Sequence, residues 1–426
     1  MSSHDGAVGA ADGKDAAPFP WTGMLALAAA AFLAVTSETL PTGLLPEIAA
    51  GLHATTPETG MLVSVYAFTV VVAATPLTAL TRRIPRRLLV VIVIVVIGLS
   101  SLLLAVSPNY GVAVIARITG GMAHGVFWAV TGAYAGHIVP SHQLARAVSI
   151  SSGGVSLALI LGAPLATILG HAVGWRIAFA VVGCLLVVGS IVVGTMLPKA
   201  SAASAPVMTG GVSTVTGGFS LRRDPSIRPV IVVCVLTGLT TLGSFTLNAY
   251  VAPFVADAMG LGTGAVGPML FVGGLMGAVG VVLVGTWLGR KPARSAAICL
   301  VFTAVGVAVL AVVPGVPPVA IAAFALWALA FGCLPPLLQT QLLHAASARF
   351  RDTASALYTT SFNVGIGGGA VIGGAIYALW GIYAVPWTAL GILVIAIVMF
   401  AATARSRTRS GQIDRDRDLR AGPEAA

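Results

Sequence analysis

Charge is scarce in this sequence, and acidic charge scarcest. The 426 residues hold 13 Asp and Glu against 23 Lys and Arg, and charged residues make up 8% of the chain. A soluble domain carries about 25% charged residues, so a water-exposed globule is excluded for most of the length. Cysteine is nearly absent. The four present (Cys184, Cys234, Cys299 and Cys333) fall in apolar stretches without metal-type spacing. They read as small hydrophobes rather than as a disulfide framework or a metal site. No Walker-type glycine loop occurs, so direct use of ATP is not expected. No HisGluXaaXaaHis, GlyXaaSerXaaGly or Cys/His cluster points to an enzyme. The polar first 20 residues lack the basic start of a signal peptide and read as a disordered cytosolic tail (1–20) before an uncleaved first helix.

What the chain has instead is apolar length. Apolar residues make up 57%, and the mean hydropathy is +0.98. Windows of about 20 apolar residues mark membrane-spanning helices. Twelve are predicted, at 21–45, 58–81, 88–107, 110–137, 143–171, 174–197, 228–256, 264–289, 293–313, 317–344, 352–380 and 382–404, numbered spans 1 to 12. A β-barrel would show short alternating segments instead. The fold class is therefore an all-α membrane protein of twelve transmembrane helices.

The net charge of +10 could suggest nucleic acid, but its placement does not. Of the 23 basic residues, 21 fall in the tails and in the loops after even-numbered spans, among them Arg83, Arg86 and Arg87 after span 2 and Arg290 and Arg294 after span 8. The opposite loops hold Glu47, Glu58 and Asp257, with Arg176 the lone cation. This is the positive-inside pattern with both termini cytoplasmic. The basic residues report topology and are candidates for cytosolic gating; no nucleic-acid partner is expected. The mixed-charge tail at 405–426 reads as disordered and cytosolic.

A Ser, Ala, Gly and Thr-rich loop at 198–227 divides the spans six and six, into bundles at 21–197 and 228–404. The halves match at an offset of 207 residues. RIPRR (83–87) recurs as RKPAR (290–294), Pro46 matches Pro253, and Gly60 matches Gly267. Such a parallel repeat of pseudo-symmetric six-helix bundles places a transporter's substrate site between its halves, near the midplane.

Glu38 is the only acidic residue inside a span. A carboxylate at membrane depth costs several kcal/mol unless paired or protonated, so it is a functional candidate by default. Arg117 is the only cation in a span interior. Both lie about seven residues from the outer end of their spans, roughly 10 Å deep at 1.5 Å per residue, which predicts a Glu38–Arg117 pair. A purely structural ion pair, or Arg117 donating to helix-end carbonyls, are the alternatives. His124 follows two turns later on the same face and could relay a proton or simply pack. In span 5, Gly153, Gly154, Gly162 and Gly170 allow close helix approach, and Pro164 favours a kink. Tyr66, Phe127, Trp128, Asn248, Tyr250, Gln339, Gln341 and Asn363 are candidates to line a cavity, against interhelical bonding or packing.

Four stretches carry a family resemblance: SETLPTGLLP (37–46), RITGGMAHGVFW (117–128), GAPLATILG with GWRIAF (162–170 and 174–179), and SFNVGIGGGA (361–370). Across residues 20–404 the chain resembles the major facilitator superfamily, in its twelve-span drug:proton antiporter branch of the bacterial sugar-efflux and chloramphenicol-resistance type. The resemblance implies a proton-transfer role for the span-4 motif (Arg117, Gly121, Gly125) and an exchanger-type motif in span 5. The loop after span 2 departs from the family pattern: Arg82 stands where an acid is common, and Pro85 replaces a glycine. The expectation is a monomeric, bacterial inner-membrane efflux antiporter. It would need no cofactor, being driven by the proton gradient, and its partners would be protons, membrane lipid and a small-molecule substrate such as a drug or sugar. A proton-coupled symporter, or a non-transporting receptor or scaffold, are the alternatives.

Overall fold

The computed structural model describes residues 19–138, 144–197, 226–347 and 350–420, and the described residues are helical with no strand. The first tail and the central loop read from the sequence fall almost wholly outside them. Among the described residues, twelve helices are long and apolar enough to cross a membrane: Trp21–Gly43, Thr56–Leu80, Arg86–Ala105, Tyr110–Thr131, Gly153–Val173, Trp175–Met196, Ile227–Asn248, Thr263–Thr286, Pro292–Val312, Pro317–Ala345, Thr353–Trp380 and Ile382–Thr403. The helix is the physical answer to such a sequence, because a span in lipid must satisfy its backbone N–H and C=O groups internally. Large apolar side chains such as Val72, Leu80, Val106 and Ile191 are left exposed.

Three boundaries differ from the sequence expectation. Span 1 stops at Gly43, and a separate short helix, Leu45–Leu52, follows with Pro46 in its first turn, where a missing N–H costs nothing. Span 7 ends at Asn248, and its continuation is a short turn, Val251–Pro253, followed by a π-helical stretch, Phe254–Ala258. At the far end, the helix Val385–Arg420 runs on through the charged tail expected to be disordered. Residues 405–420 contain no proline and one glycine, Gly411, so nothing in the backbone stops the helix. Span 2 begins where Thr55 and Glu58 form a capping box: Glu58 N–H donates to Thr55 Oγ1 (3.3 Å), and Thr55 N–H to Glu58 Oε2 (2.7 Å). That arrangement satisfies two end donors reciprocally.

The chain divides into two compact units. The first holds the six N-terminal spans together with residues 251–256 and 261–275; the second holds 226–250, 257–260 and the chain from 276 onward. Within the first, span 1 packs on spans 5 and 6, and span 3 on spans 4 and 6. Within the second, span 7 packs on spans 11 and 12, and span 9 on spans 10 and 12. The same neighbour pattern recurs six spans later, as the repeat requires.

Small residues set these crossings. A Cβ at Gly154 would collide with the carbonyl of Ala28, one at Gly162 with Thr36, and one at Gly170 with Leu44, so three of the span-5 glycines fit against span 1 and its extension. Gly153 is a correction: a Cβ there meets nothing, so it makes no close approach. The irregularity foreseen at Pro164 is a π-helical stretch, Ala158–Gly162, just before it. Pro164 cannot donate to the Ile160 carbonyl, and widening the preceding turn is one way a helix absorbs that loss.

Candidate functional site

The site begins with a proline. Pro41 stands four residues after Ser37, so the Ser37 carbonyl has no helical donor. Arg117 supplies one. Its Nη1 donates to Ser37 O (3.4 Å), its Nη2 to Glu38 O (3.1 Å), and its Nε to Leu62 O in span 2 (3.2 Å). The guanidinium also lies 4.0 Å from the centre of the Tyr66 ring, a geometry that favours a cation. Span 4 comes this close to span 2 because Gly121 and Gly125 face the backbone carbonyls of Tyr66 and Val70, where a Cβ would be crowded. The Arg-x-x-x-Gly-x-x-x-Gly spacing is thus one device: two glycines permit the crossing, and the arginine binds across it.

The expected side-chain pair between Glu38 and Arg117 does not form. Arg117 is spent on main-chain carbonyls that lie within helices rather than at their ends. The carboxylate meets His124 instead, with Oε2 3.2 Å from Nε2. His124 lies two turns deeper than Arg117, and an acid side chain reaching inward from span 1 arrives at its ring. His124 is 3% exposed, while Glu38 keeps 24%. The pair is therefore buried on the histidine side and accessible on the acid side. The His124 ring sits between Tyr66 (centroids 5.4 Å apart) and Trp128 (5.8 Å), and Trp128 Nε1 donates to His124 Nε2 at 2.6 Å. His124 Nδ1 and the Tyr66 hydroxyl are buried without a hydrogen-bond partner.

Of the cavity candidates, Tyr66, Phe127 and Trp128 gather here. Phe127 is fully buried behind His124, and Trp128 is 38% exposed. The C-terminal candidates are spread over the second unit. Tyr250 is fully buried and donates to Ala370 O at 2.9 Å. Gln341 donates to Pro292 O (3.4 Å) and Asn363 to Thr359 O (3.0 Å). Gln339 is exposed, and Asn248 is half-buried at the end of span 7.

Among the loop arginines, Arg87 donates through Nε to Gly194 O at 2.9 Å and through Nη2 to the same carbonyl. It caps the last turn of span 6, where a cation suits the helix dipole. Arg83, Arg290 and Arg294 are exposed. At the opposite ends of the helices Arg176 does a similar job, binding Ala105 O, Ser107 O and Gly51 O.

Sequence reasoning missed two polar contacts. Ser37 Oγ meets Ser101 Oγ of span 3 at 2.7 Å, buried, and Glu47 Oε1 lies 3.1 Å from His171 Nε2. Ser37 is adjacent to Glu38, which was the available signal. Glu47 was read only as a loop charge.

Twelve apolar helices among the described residues make this a multi-pass membrane protein, and its first unit holds a buried acid–imidazole pair beside an arginine. The profile of the Major Facilitator Superfamily matches residues 27–367 and again 291–423, and the chain belongs to that family. Solved structures of similar fold are transporters. A bacterial homologue of the human lysosomal transporter Spinster, in an inward-facing and occupied conformation, is 14% identical with a TM-score of 0.76, covering 92% of this chain and 98% of that one. The peptide transporter POT is 14% identical with a TM-score of 0.74, covering 91% and 94%. The human organic anion transporter MFSD10 (TETRAN) is 14% identical with a TM-score of 0.66, covering 90% and 100%. A small-molecule substrate follows from the family.

Proposed function

We propose that this transporter is a proton-coupled efflux antiporter of small organic compounds in a bacterial inner membrane, with Glu38 as the proton carrier. The observation that carries the reading is the Glu38 Oε2–His124 Nε2 contact at 3.2 Å. It is an acid and a base in direct reach, inside a span, with the acid still accessible. A proton bound there neutralises the carboxylate and removes its hold on the imidazole. Arg117 fixes the backbone on which Glu38 stands, so the acid is held at a set depth in either state. The span-5 glycines and proline, which resemble the exchanger motif, favour antiport over symport. The basic loops favour cytoplasmic termini. One charge moved through 100 mV supplies about 2.3 kcal/mol, enough for a tens-fold gradient of a neutral compound. Apart from the Glu38–Arg117–His124 cluster no fixed charge lies among the cavity candidates, which favours neutral substrates such as sugars or amphenicol-like drugs.

The test is chloramphenicol resistance and efflux in a host stripped of its own pumps. Glu38→Gln should abolish proton-driven efflux while the amount of inserted protein is unchanged. Wild-type efflux in that variant would refute the assignment. Proton movement in the same direction as substrate, measured in vesicles, would identify symport instead.

A further inference from the structure

One nitrogen of His124 is claimed twice. Nε2 lies 2.6 Å from the indole nitrogen of Trp128 and 3.2 Å from Glu38 Oε2. An indole N–H can only donate, and an ionised carboxylate can only accept. A neutral imidazole nitrogen offers either a proton or a lone pair in its plane, never both. If Nε2 carries the proton, it serves Glu38 and repels the indole N–H. If Nε2 carries the lone pair, it accepts from Trp128 and offers the carboxylate nothing. The two contacts therefore belong to two protonation arrangements of one site.

We infer that Trp128 is a proton-controlled substrate contact, its indole N–H captured by His124 when the pair holds the extra proton and released to the substrate when it does not. The inference rests on Glu38 being the coupling acid. Trp128 has the exposure for it, at 38%, while the ring that captures it is buried. The residues stand four apart on one helix, so capture and release need only a side-chain rotation. The substrate chemistry follows: a neutral molecule presenting a hydrogen-bond-accepting oxygen beside an apolar face that lies along the indole.

The proton balance closes. In the substrate-binding arrangement Glu38 is ionised and accepts from Nε2–H, Nδ1 is a lone pair, and the indole is free. A proton is taken up at Nδ1, which is buried at rest and is uncovered by movement of the ring; the Nε2–H bond breaks toward Oε2, and an O–H bond forms on Glu38. The ring is left with its proton on Nδ1 and a lone pair on Nε2; once the new Glu38 O–H turns to the water on its accessible side, that lone pair takes the indole N–H. One proton has been added and the substrate has lost its donor. The groups facing His124 among the described residues are few. Glu38 comes from span 1 and Tyr66 from span 2, and Arg117 on its own helix is engaged with carbonyls. Glu38 and the Tyr66 hydroxyl can also accept, but the indole N–H bonds to neither; its partner is His124 Nε2.

The test reads the indole directly. In protein labelled with ¹⁵N at tryptophan and held in lipid nanodiscs, the Trp128 N–H resonance is assigned by its loss in Trp128→Phe. No substrate is needed. In the wild type the resonance should move downfield, toward a hydrogen-bonded indole, as the pH falls. In Glu38→Leu, which has no competitor for Nε2, it should stay downfield. In His124→Phe, which has no acceptor, it should stay upfield throughout. A wild-type resonance unmoved by pH, or one that moves identically in Glu38→Leu, overturns the inference. These outcomes are separable from the coupling claim. If Glu38→Gln abolishes efflux and the indole never moves, Glu38 carries protons without Trp128. If the indole switches and Glu38→Gln still pumps, the switch exists and the coupling assignment falls.

Discussion

The bond between Arg117 and the Ser37 carbonyl depends on Pro41, and that dependence can be measured. Removing Arg117 withdraws three hydrogen bonds to carbonyls, at 3.2, 3.4 and 3.1 Å, and a guanidinium over Tyr66. Leu62 O and Glu38 O keep their regular places in helical turns, so their loss is small. Ser37 O does not, because residue 41 is proline, and an orphaned buried carbonyl costs about 1–3 kcal/mol. The lost cation–π contact adds roughly 0.5–2 kcal/mol. Arg117→Ala should therefore cost about 2–4 kcal/mol. Pro41→Ala returns an N–H aimed at Ser37 O, so in that background Arg117→Ala should cost about 1–2 kcal/mol less. That coupling stands well clear of the ~0.5 kcal/mol within which independent sites add. Cys234, Cys299 and Cys333 are buried and Cys184 is exposed, so in a Cys184→Ser background a thiol-reactive fluorophore reports unfolding of the detergent-solubilised protein on heating or in denaturant. If Arg117→Ala costs the same with and without Pro41, Arg117 is not replacing the missing helical bond, and its role at Ser37 is wrong.

Gly154→Val should eliminate folded protein, because its Cβ would meet the Ala28 backbone carbonyl, which cannot rotate away. Gly153→Ala, one residue earlier and facing open space, should be neutral or slightly stabilising by up to about 1 kcal/mol of helix propensity; monodisperse yield in size-exclusion chromatography separates them. Arg176→Ala should lower stability by about 1–3 kcal/mol by uncapping the ends of span 3 and of Leu45–Leu52 together. Arg176→Lys should recover only part of this in the same thiol assay, since a single ammonium cannot reproduce the guanidinium's bonds to Ala105, Ser107 and Gly51.

Much of the fold was legible because lipid permits so few solutions. Apolar length alone placed all twelve spans, and the offset of 207 placed the repeat. The misses have local causes. The break after Gly43 lies inside a continuous apolar run, so hydropathy could not mark it; only Pro46 hinted at a new helix start. The charged tail after Thr403 looked disordered by composition, yet it lacks any residue that stops a helix. At the site, depth matching set Glu38 against Arg117, but the carboxylate meets His124 instead. Depth is a one-dimensional coordinate. It placed Arg117 level with Glu38 but could not tell a carboxylate from the carbonyl of the same residue. The decisive clue, Pro41 freeing an acceptor on Ser37, was present in the sequence and is a matter of backbone bookkeeping rather than of charge. The double claim on His124 Nε2 needed coordinates, since spacing alone puts Trp128 on the right face without saying which ring atom it reaches.

The repeat also bears on why the polar cluster exists. Adding 207 carries Glu38 to Phe245, His124 to Phe331 and Arg117 to Phe324. The structure then pairs Phe245 with Phe331, ring centroids 6.3 Å apart and edge-on, where the first unit pairs Glu38 with His124. Phe324 is buried against Trp327, 5.3 Å away. The same helix crossing is thus filled twice, once by an acid, an imidazole and a guanidinium, and once by three phenyl rings. Edge-to-face rings contribute packing without any desolvation cost. Buried charges must first recover that cost, and replacing them with apolar side chains of similar size is often neutral or stabilising. The second unit shows that this architecture closes with the apolar filling. Stability therefore gives no reason for the acid and the imidazole, whereas Arg117 has one in the Ser37 carbonyl that Pro41 leaves free; the proposed proton role would account for the acid and the imidazole.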